Sequence, residues 1–181
     1  MDGLQGPVIF AATHESELDA LVLLAALPAR WRYRTAVSMA DWVFWREWFG
    51  GPGLQTLRYY LRVALFNGFT LPLGWLPLRR SFRHIGFLTE NGWSILIFPE
   101  GRHTPQFLPF QPGVGLAALR SRTPVVPILL MGMGAILPRG SHLARRGCAE
   151  VRIGKPIPPE GTDFRALTKR IEEQVASLGK L

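Results

Sequence analysis

Six short strand-like runs, none longer than seven residues, alternate along this chain with segments of helical periodicity, and that alternation limits the fold most. The runs are Pro7 to Thr13, Tyr33 to Ser38, Phe69 to Leu73, Trp93 to Phe98, Val125 to Leu130 and Glu150 to Ile153. A helix is expected from Ser16 onward, carrying Leu18, Leu21, Val22 and Leu24, with Ser16 as its N-cap. A second is expected from Pro52, with Leu54, Leu57, Leu61 and Leu65 in a stripe ended by Asn67-Gly68. Arg79 to Glu90 and a short segment opened by Pro112 read as two more. The last is the cleanest: Thr162 caps it, and Phe164, Leu167, Ile171, Val175 and Leu178 share one face. Strands interleaved with helices predict an α/β fold, a mostly parallel central sheet flanked by helices.

At 181 residues, without repeat, low-complexity tract or linker, residues 1–181 read as a single domain. In such sheets ligands collect beyond the carboxyl ends of the strands. Two strand ends carry the chemistry: one runs into Thr13-His14-Glu15-Ser16-Glu17-Leu18-Asp19, the other into Phe98-Pro99-Glu100-Gly101-Arg102-His103-Thr104.

His14 and Asp19 would lie about 140° apart on a common helix, so they cannot share a helical face. With His14 in the turn before the helix and Asp19 in its first turn, the carboxylate can accept from one ring nitrogen. The other nitrogen can then take a proton, which is how a base activates a hydroxyl. Asp19 alone has a simpler explanation, because Ser-x-x-Asp is a capping box and an acid suits a first helical turn. In the second segment, Gly101 permits a sharp break after a buried strand. Glu100 there suits a hydroxyl-bearing substrate, and Arg102 or His103 suits phosphate.

Taken together, His14-x-x-x-x-Asp19 and Phe98-Pro99-Glu100-Gly101, about eighty residues on, resemble the blocks of the glycerolipid acyltransferase family. This family includes the glycerol-3-phosphate and 1-acylglycerol-3-phosphate O-acyltransferases. Pro109-Phe110-Gln111-Pro112-Gly113, Thr123 to Ile128, and Val151 to Pro159 followed by a helix extend the similarity over nearly the whole chain. The resemblance implies that His14, held by Asp19, deprotonates a hydroxyl of a lysophospholipid or related lipid acceptor. The hydroxyl then attacks the thioester of acyl-CoA or acyl carrier protein, with Glu100 and Gly101 helping to bind the acceptor. No bound cofactor and no metal are implied. The alternative is a catalytically inactive lipid-binding domain of the same fold.

Three features depart from the family pattern. Arg102-His103-Thr104 stands where Thr-Arg-Ser is usual, and Gln111 where Lys is common. Gly74 stands where a phosphate-binding Arg is expected after the Phe69 to Leu73 run, leaving Arg79 and Arg80 as the nearest candidates. These shifts move or remove cationic contacts for an acceptor phosphate, so a lysophospholipid remains the expected acceptor with another hydroxylated lipid as the alternative. Family members usually carry an upstream membrane-associated helical region, and the expectation here is either a protein without it or a chain truncated before the first strand.

Charge and composition bear on partners. Lys and Arg number 21 against 13 Asp and Glu, a net +8, and Arg far outnumbers Lys without any lysine-rich tail. That pattern favours phosphate or lipid head groups over nucleic acid. The lone Cys148 fits a reducing compartment. The uncharged stretch from Pro124 to Pro138 has 15 residues with three prolines and two glycines, too short and interrupted to span a bilayer. Five aromatics between Trp42 and Phe49, followed by Arg58 and Arg62, have the composition of an interfacial anchor or of a core or acyl-chain lining. The expectation is a peripheral protein on the cytoplasmic side of a membrane, acting in phospholipid biosynthesis.

Overall fold

The computed structural model describes residues 4–40, 68–71, 78–102, 106–138, 141 and 143–180. The elements in chain order are β1 (Ile9–Ala12), α1 (Asp19–Ala26), α2 (Ala29–Arg32), β2 (Thr35–Ala40), β3 (Phe69–Leu71), α3 (Leu78–Glu90), β4 (Ser94–Ile97), α4 (Gly113–Ser121), β5 (Val125–Met131), α5 (Met133–Ile136), β6 (Glu150–Ile153) and α6 (Phe164–Leu178). The strands form one sheet in the order β3-β2-β4-β1-β5-β6. All neighbours are parallel except β6, which runs antiparallel to β5. The expected α/β fold with a mostly parallel sheet is therefore observed.

Central parallel strands are covered on both faces, so they read as continuous apolar runs. The period of two then divides their side chains between two cores. Ile9, Ala11, Ile95 and Ile97 face one layer with Phe82, Ile85, Val114, Ala117, Ile171 and Val175 of α3, α4 and α6. Phe10, Ala12 and Leu96 face the other with Leu23, Leu24 and Trp31 of α1 and α2. Burying a side chain such as Phe10 or Ile9 contributes about 1.5–3 kcal/mol each. The layers around β1 therefore fix where its carboxyl end points. On the first side α4 and α6 touch through Gly115, whose N–H donates to Thr168 Oγ1 at 3.3 Å. A Cβ there would strike the carbonyl oxygen of Phe164 and Thr168 Oγ1.

Several local expectations need correction. Helix α1 starts at Asp19, not beside Ser16, and its N-cap is Leu18. Residues Ser16 to Asp19 form a preceding turn, closed by Asp19 N–H donating to the Ser16 carbonyl at 3.2 Å. The helix turns Leu23 and Leu24 inward and leaves Leu21 half exposed. Its sequence is apolar all round, so periodicity could not pick the buried face. Asp163, not Thr162, caps α6, its carboxylate accepting from Arg165 N and Ala166 N. An ionised acceptor one residue closer displaces the hydroxyl. Helices α2 and α5 have four residues each, too few for periodicity to reveal. The expected helix from Pro52, the aromatic segment Trp42 to Phe49, Arg58, Arg62 and Gly74 lie outside the described residues.

Candidate active site

β1 and β4 are adjacent and parallel, with Ala11 paired to Ile97. Three further residues along each strand lead to His14 and Glu100, so register alone brings the two motifs together. The His14 N–H donates to Glu100 Oε1 at 3.0 Å. On the other side, Thr13 fastens the end of β1 to β5. Leu130 N–H donates to Thr13 Oγ1 at 2.8 Å, and that hydroxyl donates to the Leu130 carbonyl at 3.1 Å.

Asp19 is fully buried where α1 begins. Its Oδ2 gathers three donors: the N–H groups of Glu15 at 2.6 Å and Ser16 at 2.9 Å, and His14 Nδ1 at 2.8 Å. A carboxylate only accepts, so Nδ1 carries the proton and the basic lone pair belongs to Nε2. Asp19 Oδ1 is buried without a hydrogen-bond partner among the described residues. The imidazole also lies against the Phe98 ring, with centroids 4.1 Å apart and planes at 19°. The Asp19 hydrogen bond and the Phe98 face both hold its orientation. The loop between His14 and Asp19 is tied to α5 as well. Gly134 N–H donates to Glu15 Oε2 at 3.1 Å, and the Ser16 hydroxyl donates to the Leu137 carbonyl at 3.4 Å.

Glu100 is 5% exposed. Its second oxygen, Oε2, accepts from Leu108 N–H at 3.0 Å, so one carboxylate bridges the β1–α1 loop and the segment leading to α4. Burial pushes its carboxyl above the usual range, while the N–H groups of Leu108 and His14 pull the other way. Gly101 follows with φ +72°, a backbone state that L side chains rarely adopt, and its N–H closes a turn onto the Phe98 carbonyl at 3.1 Å. Gln111 N–H donates to the Pro99 carbonyl at 2.8 Å, which folds the Pro109 to Gly113 block back onto this turn.

A base oriented by a buried carboxylate, at the carboxyl edge of a parallel sheet, is the arrangement that deprotonates a hydroxyl. A family model described as Acyltransferase matches residues 3–131. The chain belongs to the acyltransferase family. It is 26% identical over 186 residues to the human 1-acyl-sn-glycerol-3-phosphate acyltransferase alpha, covering 95% of this chain and 58% of that protein. It is 29% identical over 162 residues to a 1-acyl-sn-glycerol-3-phosphate acyltransferase of Limnanthes alba, covering 86% of this chain and 50% of the relative. The chain thus spans about half the length of these curated relatives. The solved structure of the 1-acyl-sn-glycerophosphate acyltransferase PlsC from Thermotoga maritima superimposes with a TM-score of 0.71. That match covers 98% of this chain and 67% of the other at 22% identity, and it establishes a shared fold.

Within this acyltransferase fold the structure brings His14, Asp19, Glu100 and Gly101 together. Arg102 is exposed just beyond. Arg79 and Arg80 fall in the first turn of α3, which begins after the carboxyl end of β3, so their backbone lies at the same edge as His14. Their side chains, and all of His103, lie outside the described residues. Sequence reasoning missed Thr13, the Phe98 stack and the Leu108 N–H. Thr13 and Phe98 lie inside the two motifs, which was the available signal, whereas nothing in the sequence marks a backbone donor at Leu108.

Proposed function

We propose that the protein is an O-acyltransferase that moves a fatty acyl group from coenzyme A or acyl carrier protein to a hydroxyl of a lysophospholipid-like acceptor. His14 Nε2 takes the proton of the acceptor hydroxyl as its oxygen attacks the thioester carbonyl. The carbonyl π-pair moves to oxygen in the tetrahedral intermediate. Its return expels the thiolate, which recovers the proton from His14, so the imidazole ends neutral and no acyl-enzyme forms. Asp19 stabilises the transient imidazolium and fixes the tautomer. Glu100 holds the His14 loop and the Leu108 segment around the acceptor, with Gly101 and Arg102 at its rim. Arg79, Arg80 and His103 supply the candidate contacts for an acceptor phosphate.

The observation that carries this reading is the 2.8 Å contact of His14 Nδ1 with fully buried Asp19. The names of the curated relatives supply the acceptor class. The test is purified protein with labelled acyl-CoA or acyl carrier protein and a panel of lysolipids with and without a phosphate. Labelled diacyl product with a phosphate-bearing acceptor supports the proposal. Binding of lysolipid without any ester formed would show the inactive lipid-binding alternative instead.

A further inference from the structure

We infer that the turn bearing Leu143, Arg145 and Arg146 is a docking tip that seats the His14 edge of the sheet on an anionic lipid surface. The inference rests on the lipid acceptor proposed above and names the surface by which the site would meet it. Met131 at the end of β5 pairs with Glu150 at the start of β6, and β5 runs parallel to β1 with Ile128 opposite Ala12. Residues 132–149 therefore leave and re-enter the sheet at its carboxyl edge, beside His14. The connection is anchored to the site. Besides the bonds that Gly134 N–H donates to Glu15 and the Leu137 carbonyl accepts from Ser16, Arg145 N–H donates to the Ile136 carbonyl at 2.7 Å. Gly147 packs so closely on Ile136 that a Cβ would come within 2.7 Å of its Cγ1.

At the tip, Ser141 Oγ accepts from Leu143 N–H at 3.3 Å and donates to its carbonyl at 3.1 Å, fixing a turn that holds Leu143 80% exposed. Arg145 and Arg146 beside it are exposed, and between Pro138 and Ala149 the sequence has three arginines and no acid. A bare leucine set among arginines suits an interface where the apolar side chain enters the acyl boundary and the guanidinium groups meet lipid phosphates. A hydrated polyanion offers no place for that leucine. The same edge exposes Phe107 at 45% and Leu21 at 50%, with Arg102 nearby. Among the described residues its exposed acids are Glu17 and Glu150, the second paired with Arg152 at 2.6 Å.

The test is flotation of the protein with phosphatidylcholine vesicles, with and without phosphatidylglycerol, for wild type, Leu143→Ser and Arg145→Gln/Arg146→Gln. Wild type should bind only the anionic vesicles and release with added salt. The double arginine variant should bind about thirty-fold more weakly, at roughly five-fold per arginine. Leu143→Ser should lose roughly ten-fold. Turnover of a short-chain acceptor in free solution should be unchanged in both. Wild-type binding by the variants would overturn the inference, as would wild type that ignores anionic vesicles. Equal loss of soluble turnover would also overturn it, because the turn would then support the site, not the docking. Vesicle binding that needs this turn, without acyl transfer to any lysolipid, would sink the proposed activity and leave the docking surface standing.

Discussion

Replacing Asp19 by Asn would separate the catalytic part proposed for it from its structural one. Only Oδ2 is bonded, to three donors, while buried Oδ1 has no partner among the described residues. An asparagine can keep its carbonyl oxygen at the Oδ2 position and put its amide nitrogen where Oδ1 lies, so the loop geometry survives. What disappears is the charge. Hydrogen bonds to charged acceptors exceed neutral ones by about 1 kcal/mol, or about 3 kcal/mol over three bonds. Relief from burying the ionised group offsets part of this. The melting temperature should therefore drop by only about 2–10 °C, at roughly 2–4 °C per kcal/mol for a chain of this size. Catalysis loses more. An imidazolium about 4 Å from a carboxylate gains about 4 kcal/mol at an effective dielectric constant of 20, which is about a thousand-fold in rate. The assay is kcat for labelled acyl transfer beside thermal denaturation. A variant within ten-fold of wild-type kcat would refute the orienting role and leave Asp19 as a tie for the loop at Glu15 and Ser16. Asp19→Ala, which strands three donors, should instead be destabilised by several kcal/mol.

Three further outcomes follow from the packing around the site. Phe98→Leu removes the stacked face of the imidazole and should lower kcat about three- to ten-fold with little change in KM, with Tyr restoring most of it; an unchanged kcat would show that the Asp19 bond alone orients the ring. Glu100 binds its proton more tightly folded than unfolded, so its contribution to stability falls as pH rises from the unfolded value of 4.5 through the raised folded one. The stability of wild type relative to Glu100→Gln should therefore shrink as pH rises above 4.5 in denaturant titrations, and a constant gap would contradict the burial argument. Gly115→Ala must part α4 from α6 and should cost about 1–3 kcal/mol by the same titrations while leaving KM alone; unchanged stability would mean that the two helices can separate freely.

The strands were legible because a sheet covered on both faces leaves apolar runs that no surface helix would carry. The α1 face was not, because its sequence is apolar all round and only the placement of Phe10 and Trp31 decides which leucines turn inward. Cap positions shifted where a carboxylate competed with a hydroxyl, as at Asp163, or where Asp19 served the preceding loop instead of the helix alone. The site was legible as two motifs but not as one constellation. Joining His14 to Glu100 requires knowing that β4 inserts beside β1, and strand order is a global property of packing. Within the same motif Glu100 reads as a substrate-facing acid, yet both its oxygens already accept backbone N–H groups. Spacing cannot show that a carboxylate is occupied from within.

The proposed chemistry turns on His14 Nε2 taking the proton of the acceptor hydroxyl. The most direct measurement is the rate of labelled acyl transfer by folded His14→Ala beside wild type, with saturating acyl thioester and lysolipid. The rate should fall about a hundred-fold or more, as for loss of a general base, with lysolipid binding retained. Transfer at the wild-type rate by that variant would contradict it.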